Sequence, residues 1–220
     1  MKFSALAFDL DGTLYPNYRL YIRLVPFLLR NQRLLRAMDK ARTMLRRSGE
    51  YGADFYDAQA ALMAGVLKKP AGRIKEQTER LIYRGWEPFF KNIKLFPYAR
   101  EALDSFRGHG IKLGLLSDFP PENKLENLEI TQYWDAVVCS ERAGRLKPDP
   151  KSFLDLASNL SVLPENMLYV GNSVPYDVIG AASAGMKTAL ISPRWKKGPA
   201  SVPLDFVFHD YRQLRDYVLS

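Results

Sequence analysis

The stretch Phe3-Ser4-Ala5-Leu6-Ala7-Phe8-Asp9-Leu10-Asp11-Gly12-Thr13-Leu14 decides how the rest of the chain is read. Its first six residues, mostly apolar, predict a buried strand, and two carboxylates and a glycine follow. In extended chain, side chains at i and i+2 share a face, so Asp9 and Asp11 project together from the strand's carboxyl end. That end is where open parallel sheets bind ligands. Two adjacent carboxylates repel each other unless a cation or a proton is shared between them. Taken alone, Asp-x-Asp reads as a turn with a helix cap, and the segments further along the chain decide against that reading.

The totals set the frame. A chain of 220 residues, 47% hydrophobic and 25% charged, is long enough for one generous globular domain or a core plus a smaller insert. Cys139 is the single cysteine, so no internal disulfide can form, and its place after Val137-Val138 predicts a buried core thiol. No apolar run reaches the 18 residues of a membrane span, and Asp9 interrupts the stretch after Met1-Lys2 before it can serve as a signal peptide. The expectation is a cytoplasmic, soluble protein. The net charge of +8 is unevenly spread: residues 16–97 hold 17 Lys and Arg against 7 Asp and Glu, whereas the remainder holds 15 against 17. The basic character belongs to one segment, which predicts a separate module.

The hydrophobic period changes at the same place. From Tyr18 to Arg47, leucines, methionines and Phe27 interleave with arginines at helical spacing, predicting one long amphipathic helix or two, with Pro26 kinking the first. Further helices are predicted over about Ala53 to Leu67 and over Ala71 to Phe90, so residues 16–97 read as all-helical. From Pro97 the pattern alternates. Helices are predicted at Ala99–Arg107 (ended by Gly108), Pro121–Leu128, from Asp149-Pro150, at Pro175–Ala184 and at Asp210–Leu219. Strands are predicted at Ile111–Leu116, Ala136–Val138, Met167–Val170, Lys187–Ile191 and Phe206–Phe208. Such alternation implies a parallel sheet wrapped by right-handed crossovers.

Three of these strands end in polar residues that gather at one rim: Asp9 and Asp11, Ser117, and Asn172 to Asp177. Lys147 lies in the loop Lys147-Pro148-Asp149-Pro150. Phosphoryl transfer uses such a set: a carboxylate to attack phosphorus, a hydroxyl and an ammonium to hold the non-bridging oxygens, and hard oxygen ligands for magnesium. The four segments, in this order and at compatible spacing, resemble the signatures of the haloacid dehalogenase-like (HAD) hydrolases, most of which are magnesium-dependent phosphatases. The resemblance covers roughly residues 1–15 and 98–220. It implies an α/β fold with a Rossmann-like parallel-sheet core at 1–15 and 98–220, and an inserted all-α cap domain of the helical (C1) type at 16–97. It implies Asp9 as nucleophile and metal ligand, and Asp11 as the acid and base that also offers its main-chain carbonyl to Mg2+. Ser117 is implied as the phosphate-binding hydroxyl, and Lys147 as the neutralising lysine.

One departure stands out. The family's last segment usually reads Gly-Asp, a few residues, then Asp, whereas here it reads Gly171-Asn172-Ser173-Val174-Pro175-Tyr176-Asp177. Asn172 can ligate through its carbonyl oxygen but brings no charge, so magnesium is expected to bind more weakly, with Asn172 and Asp177 completing the ligand set. The intact Asp-x-Asp favours phosphatase over dehalogenase chemistry. Asp118, beside Ser117, has no role in this scheme, and His109 and His209 have no metal-ligand spacing.

The expected function is hydrolysis of a small-molecule phosphate monoester through an aspartyl-phosphate. A cap at 16–97 would close over the site and, being basic, favour an anionic leaving group. Tyr15, Tyr18, Arg19 and Tyr21 lie next to the catalytic turn as specificity candidates. The rivals are a phosphotransferase or mutase using the same intermediate, and a non-catalytic binding or scaffold protein on a HAD core. The Arg19–Arg47 segment also suits an anionic membrane surface or a nucleic-acid backbone, although no nucleic-acid partner is expected.

Overall fold

The computed structural model describes residues 2–49, 54–193, 202 and 204–220. Six strands, β1 (Ala5–Phe8), β2 (Lys112–Ser117), β3 (Ala136–Cys139), β4 (Met167–Gly171), β5 (Lys187–Ile191) and β6 (Phe206–Phe208), form one parallel sheet in the order β3-β2-β1-β4-β5-β6. β1 lies at the centre and is wholly buried, as its unbroken apolar run predicts for a strand covered on both faces. The strand period of two divides its side chains. Leu6 and Phe8 join a cluster with Leu103 and Phe106 of α6 (Ala99–Gly108) and Tyr211, Leu214 and Val218 of α10 (Tyr211–Leu219). Ala5 and Ala7 face Phe153, Leu156 and Leu160 of α8 (Pro150–Leu160) and Ala181 of α9 (Ile179–Ser183). The result is a three-layer α/β sandwich of the Rossmann-like type, with the carboxyl ends of β1, β2 and β4 side by side.

Between β1 and α6 the chain is helical: α1 (Asn17–Arg30), α2 (Gln32–Ser48), α3 (Phe55–Leu67), α4 (Ala71–Thr78), a π-helical turn at Glu79–Tyr83, and α5 (Glu87–Phe90). The Tyr18–Arg47 pattern thus resolves into two helices. They part at Asn31 and not at Pro26, which sits inside α1. Ala53, the predicted start of the next helix, lies outside the described residues, and α3 starts at Phe55 behind the Asp54 side chain, which accepts from the Asp57 N–H. The single helix expected over 71–90 is broken: Gly85 lies tight against the Leu81 carbonyl, and Pro88, lacking an N–H, fits only the first turn of a new helix. Leu34, Ala37, Met38, Ala41, Ala60, Met63, Ile74 and Ile82 form a hydrophobic cluster separate from those of the sheet. Leu20 and Leu24 of α1 instead join the sheet-side cluster, beside Phe90 and Ile93.

Downstream, α6 runs through Gly108, and the left-handed residue is Gly110, two positions beyond the predicted cap. α7 spans Glu122–Asn127. The helix predicted from Pro175 opens as a π-helical turn, Val174–Val178, before α9. Asp149 caps α8 as expected, and Asp210, predicted as the first residue of the closing helix, instead caps α10, each accepting a main-chain N–H. Cys139 is buried, and burial pushes its thiol up to about 11.

Candidate active site

The register of the sheet assembles the rim. Phe8 pairs with Leu115 of β2 and Val170 of β4, so Asp9 leaves β1 beside the last residues of both neighbours. The Asp9 N–H donates to the Val170 carbonyl at 2.9 Å, which fixes the strand's exit. Gly12, at φ +89°, turns the chain immediately afterwards, and an added Cβ there would lie 2.1 Å from the Asn172 amide nitrogen. The turn therefore requires glycine on two counts. Thr13 donates its hydroxyl to Asp9 Oδ2 at 2.7 Å, and Tyr211 of α10 donates to the Thr13 carbonyl at 2.7 Å, tying the turn to the closing helix.

Asp9 is buried and shares one ammonium with Asp177. Lys147 Nζ lies 2.7 Å from Asp9 Oδ1 and 2.8 Å from Asp177 Oδ1, and it also reaches the Tyr169 hydroxyl at 3.4 Å. Burial pushes the Asp9 carboxyl up to about 7; the Lys147 charge opposes the shift, and Asp177 and Asp11 add to it. Burial works against the Lys147 ammonium, but Asp177 and Asp9 outweigh it and hold its pKa well above the ordinary value. One cation placed between two buried carboxylates offsets part of the cost of burying them.

Asp177, expected among the metal ligands, has both oxygens engaged: Oδ1 on Lys147, and Oδ2 accepting the N–H groups of Asn172 (3.1 Å) and Ser173 (2.9 Å). Gly171 makes this possible, since a Cβ there would stand 2.3 Å from that of Asp177. Asn172 Nδ2 lies 3.3 Å from the main-chain oxygen of Asp11, the carbonyl expected to face the metal. Among the described residues no group of three or more His, Cys, Asp or Glu side chains is placed to hold an ion. The oxygen donors on offer are the Asp9 carboxylate, which accepts from Lys147 and Thr13, the Asp11 carbonyl, and the adjoining Asn172 amide, which presents oxygen in place of nitrogen after half a turn. All are hard oxygen donors and fit Mg2+ that keeps several waters, with a single formal charge among them.

Asp11 faces the other way. Lys124 of α7 donates to both of its carboxylate oxygens, at 2.7 and 2.6 Å, and the Tyr15 hydroxyl donates to Oδ1. Burial, followed by the Asp11 charge, holds the Tyr15 phenol well above its ordinary pKa, so it stays a donor. The Lys124 ammonium lies 5.0 Å from the Phe90 ring and 5.5 Å from that of Phe119. Asp11, Lys124, Phe90 and Phe119 edge a cavity of about 790 Å³ between the sheet's rim and the helical segment, lined also by Asn17, Tyr21, Tyr83, Trp86 and Arg142. Of the four specificity candidates, Tyr21 lines the cavity and Tyr15 holds Asp11, whereas Tyr18 and Arg19 are exposed and bonded to each other.

Ser117 ends β2 and is buried; its oxygen accepts the Phe119 N–H at 3.2 Å, leaving its hydroxyl proton to donate. Asp118, next to Ser117, is held by the helical segment. It accepts from Arg46 Nη2 at 2.8 Å and from the Lys147 main-chain N–H at 3.0 Å, and it lies 3.6 Å from Arg42. Arg42 is also paired with buried Glu141, which accepts from Tyr83 at 3.1 Å. Two arginines of the basic segment thus lock α2 onto the loops that carry Ser117 and Lys147. Burial opposes the Asp118 charge, but Lys147, Arg42 and Arg46 prevail and hold its carboxyl below the usual value.

A family model described as haloacid dehalogenase-like hydrolase matches residues 3–185. The chain belongs to that family. A glyceraldehyde 3-phosphate phosphatase of Methanopyrus kandleri is 29% identical over 203 residues, covering 86% of this chain and 83% of its own. That of Pyrococcus furiosus is 30% identical, covering 60% and 52%. A phosphoglycolate phosphatase of Salmonella typhimurium is 32% identical, covering 48% and 43%, so the chain spans about half the length of these last two relatives. Among solved structures, a HAD phosphatase from Thermococcus onnurineus superposes with a TM-score of 0.66 at 24% identity, covering 98% of this chain and 97% of its own. An L-2-haloacid dehalogenase from Xanthobacter autotrophicus gives 0.69 at 18% identity, covering 99% of each. At these identities the structures establish the HAD fold alone, and dehalogenases share it as well as phosphatases do.

The sequence alone does not single out Lys124, Thr13 or Tyr169 as site residues, and it offers Tyr15 as a specificity candidate but not as the group that holds Asp11. Thr13 stands in the quoted Asp-Gly-Thr and could have been singled out. Lys124 carries no signal, because a lysine in Glu122-Asn123-Lys124 reads as an ordinary solvated helix residue.

Proposed function

We propose that this HAD hydrolase is a phosphatase acting on a small phosphate monoester, with residues 16–97 as cap over a core of 1–15 and 98–220. The observation that supports it is the buried Asp9–Lys147–Asp177 group beside an Asp11 that faces a cavity large enough for a metabolite. Relatives named as phosphatases support the same reading.

In this reading an Asp9 oxygen attacks phosphorus, the bond from phosphorus to the ester oxygen breaks, and the leaving oxygen takes its proton from Asp11. Asp11 then takes a proton from water as that water attacks the phospho-Asp9, releasing phosphate. Ser117 and Lys147 hold the non-bridging oxygens. Lys124 and Tyr15 are positioning residues that fix the Asp11 carboxyl at the cavity's edge. Mg2+ would be held by Asp9, the Asp11 carbonyl, Asn172 and, through water, Asp177, and when bound it supplies positive charge to the phosphoryl oxygens.

The test is phosphate release from an aryl phosphate, with and without magnesium, for the parent and for Asp9→Asn. Magnesium-dependent turnover that falls by more than about a thousandfold in Asp9→Asn is expected. Turnover that survives the substitution would refute the mechanism. No turnover against a panel of phosphorylated metabolites, with no magnesium binding by calorimetry, would favour the scaffold reading.

A further inference from the structure

The helix α1 is apolar on two faces, yet only one is covered. Leu20 and Leu24 are buried, with Phe27 and Leu28 packed beside them. Positions four, three and four apart then place Tyr18, Ile22, Val25 and Leu29 in one strip along the outside, with Tyr21 at its margin. These side chains are 58%, 67%, 47%, 64% and 51% exposed respectively. A surface helix ordinarily turns polar residues outward, and a contiguous apolar strip of this kind marks an interaction surface.

The charges beside the strip say what it meets. The third face of α1 carries Arg19, Arg23 and Arg30, all exposed, and the helix contains no acidic residue. Arg33 and Arg36, also exposed, follow within six residues of its end. Arg23 is braced by the carbonyls of Phe89 and Lys91, at 3.2 and 2.6 Å, which holds the arginine face in register. A second copy seated on this strip would bring arginines against arginines across a two-fold axis, which is unfavourable. A nucleic-acid backbone would engage the arginines and leave Ile22, Val25 and Leu29 in water. An anionic lipid surface takes both features at once, the strip in the acyl boundary and the arginines among the headgroups. At 14 residues α1 is too short to span a bilayer, and no described helix is long and apolar enough to do so.

We propose that the outer face of α1 docks this protein on anionic membrane surfaces, with Ile22, Val25 and Leu29 inserting and Arg19 and Arg30 pairing with lipid phosphates or carboxylates. Asn17 and Tyr21 of the same helix line the cavity, so docking sets the mouth of the site next to the membrane plane. The proposal stands apart from the phosphatase reading, and its test does not use activity.

The test is co-sedimentation of the whole chain with vesicles of roughly three parts phosphatidylcholine to one part phosphatidylserine, against phosphatidylcholine alone. Binding to the anionic vesicles only, released at about 1 M salt, is expected. Ile22→Asp with Leu29→Asp should lower the bound fraction more than about tenfold. Arg30→Gln should lower the partition about fivefold. Val137→Asp, at an exposed apolar position of β3, should change nothing, with unchanged circular dichroism confirming folding. No sedimentation at low salt would overturn the proposal, as would binding that persists in the double variant. Concentration-dependent self-association that the double variant abolishes, without vesicle binding, would assign the strip to a second copy instead.

Discussion

Asp9 and Asp11 stand two residues apart at one strand end and occupy unlike surroundings. Asp9 is buried among groups delivered by the sheet itself: Lys147 from the loop before α8, Asp177 after β4, Thr13 from its own turn. Asp11 is partly exposed and held by Tyr15 and by Lys124 of α7, at the edge of a cavity shared with the helical segment. The difference separates a carboxylate enclosed by the sheet's own loops from one presented to the cavity. The Asp9 side is closed around one lysine shared by two carboxylates, and the Asp11 side is open to whatever enters the cavity.

That contrast can be broken by experiment. Lys147→Met leaves two buried carboxylates without their cation and should cost about 3–5 kcal/mol, read from urea midpoints. Lys124→Met removes a charge from a carboxylate that water can reach, and should cost about 2 kcal/mol. Its larger signature is kinetic, a change in KM and kcat with Asp11 less firmly placed. Equal losses of stability in the two variants would abolish the distinction between the sides. Asn172→Asp restores a charged donor beside the Asp11 carbonyl and should tighten magnesium about tenfold by calorimetry. An unchanged affinity would remove Asn172 from the ligand set.

The smallest effect concerns the lock between α2 and the core. The Asp118 carboxyl is held below its ordinary value of 3.8, so its ion pairs stabilise the fold above that value, and the contribution is lost as pH falls through the lower folded value. Asp118→Asn should therefore cost about 1 kcal/mol, constant from about pH 5 to 8 and shrinking below 3.8. A cost that grows with acidity would show that Asp118 does not anchor the arginines.

Much of this was legible because it is local. The apolar run before Asp9 and the strand-helix alternation after Pro97 report burial through periodicities of 2 and 3.6. The cap at Asp149 is set by neighbouring residues alone. The less legible features depend on distant contacts. The basic segment showed only its net charge, and nothing in Arg42 or Arg46 distinguishes them from Arg19 or Arg30 until Asp118 and Glu141 arrive from far along the chain.

The sequence by itself determined that this is a parallel α/β core with a helical insert, and which strand ends would carry Asp9, Asp11, Ser117, Asn172 and Asp177, with Lys147 in the loop before a helix. Those depend on short-range periodicity and on the rule that ligands gather at the carboxyl ends of parallel strands. Only the tertiary structure decided that Lys124 would sit on Asp11, that Asp118 would hold the insert, and that α1 would leave an apolar strip uncovered. Each of these depends on which surfaces meet across 70 or more residues of chain, or fail to meet, and helical periodicity alone does not say which of two apolar faces is turned to water.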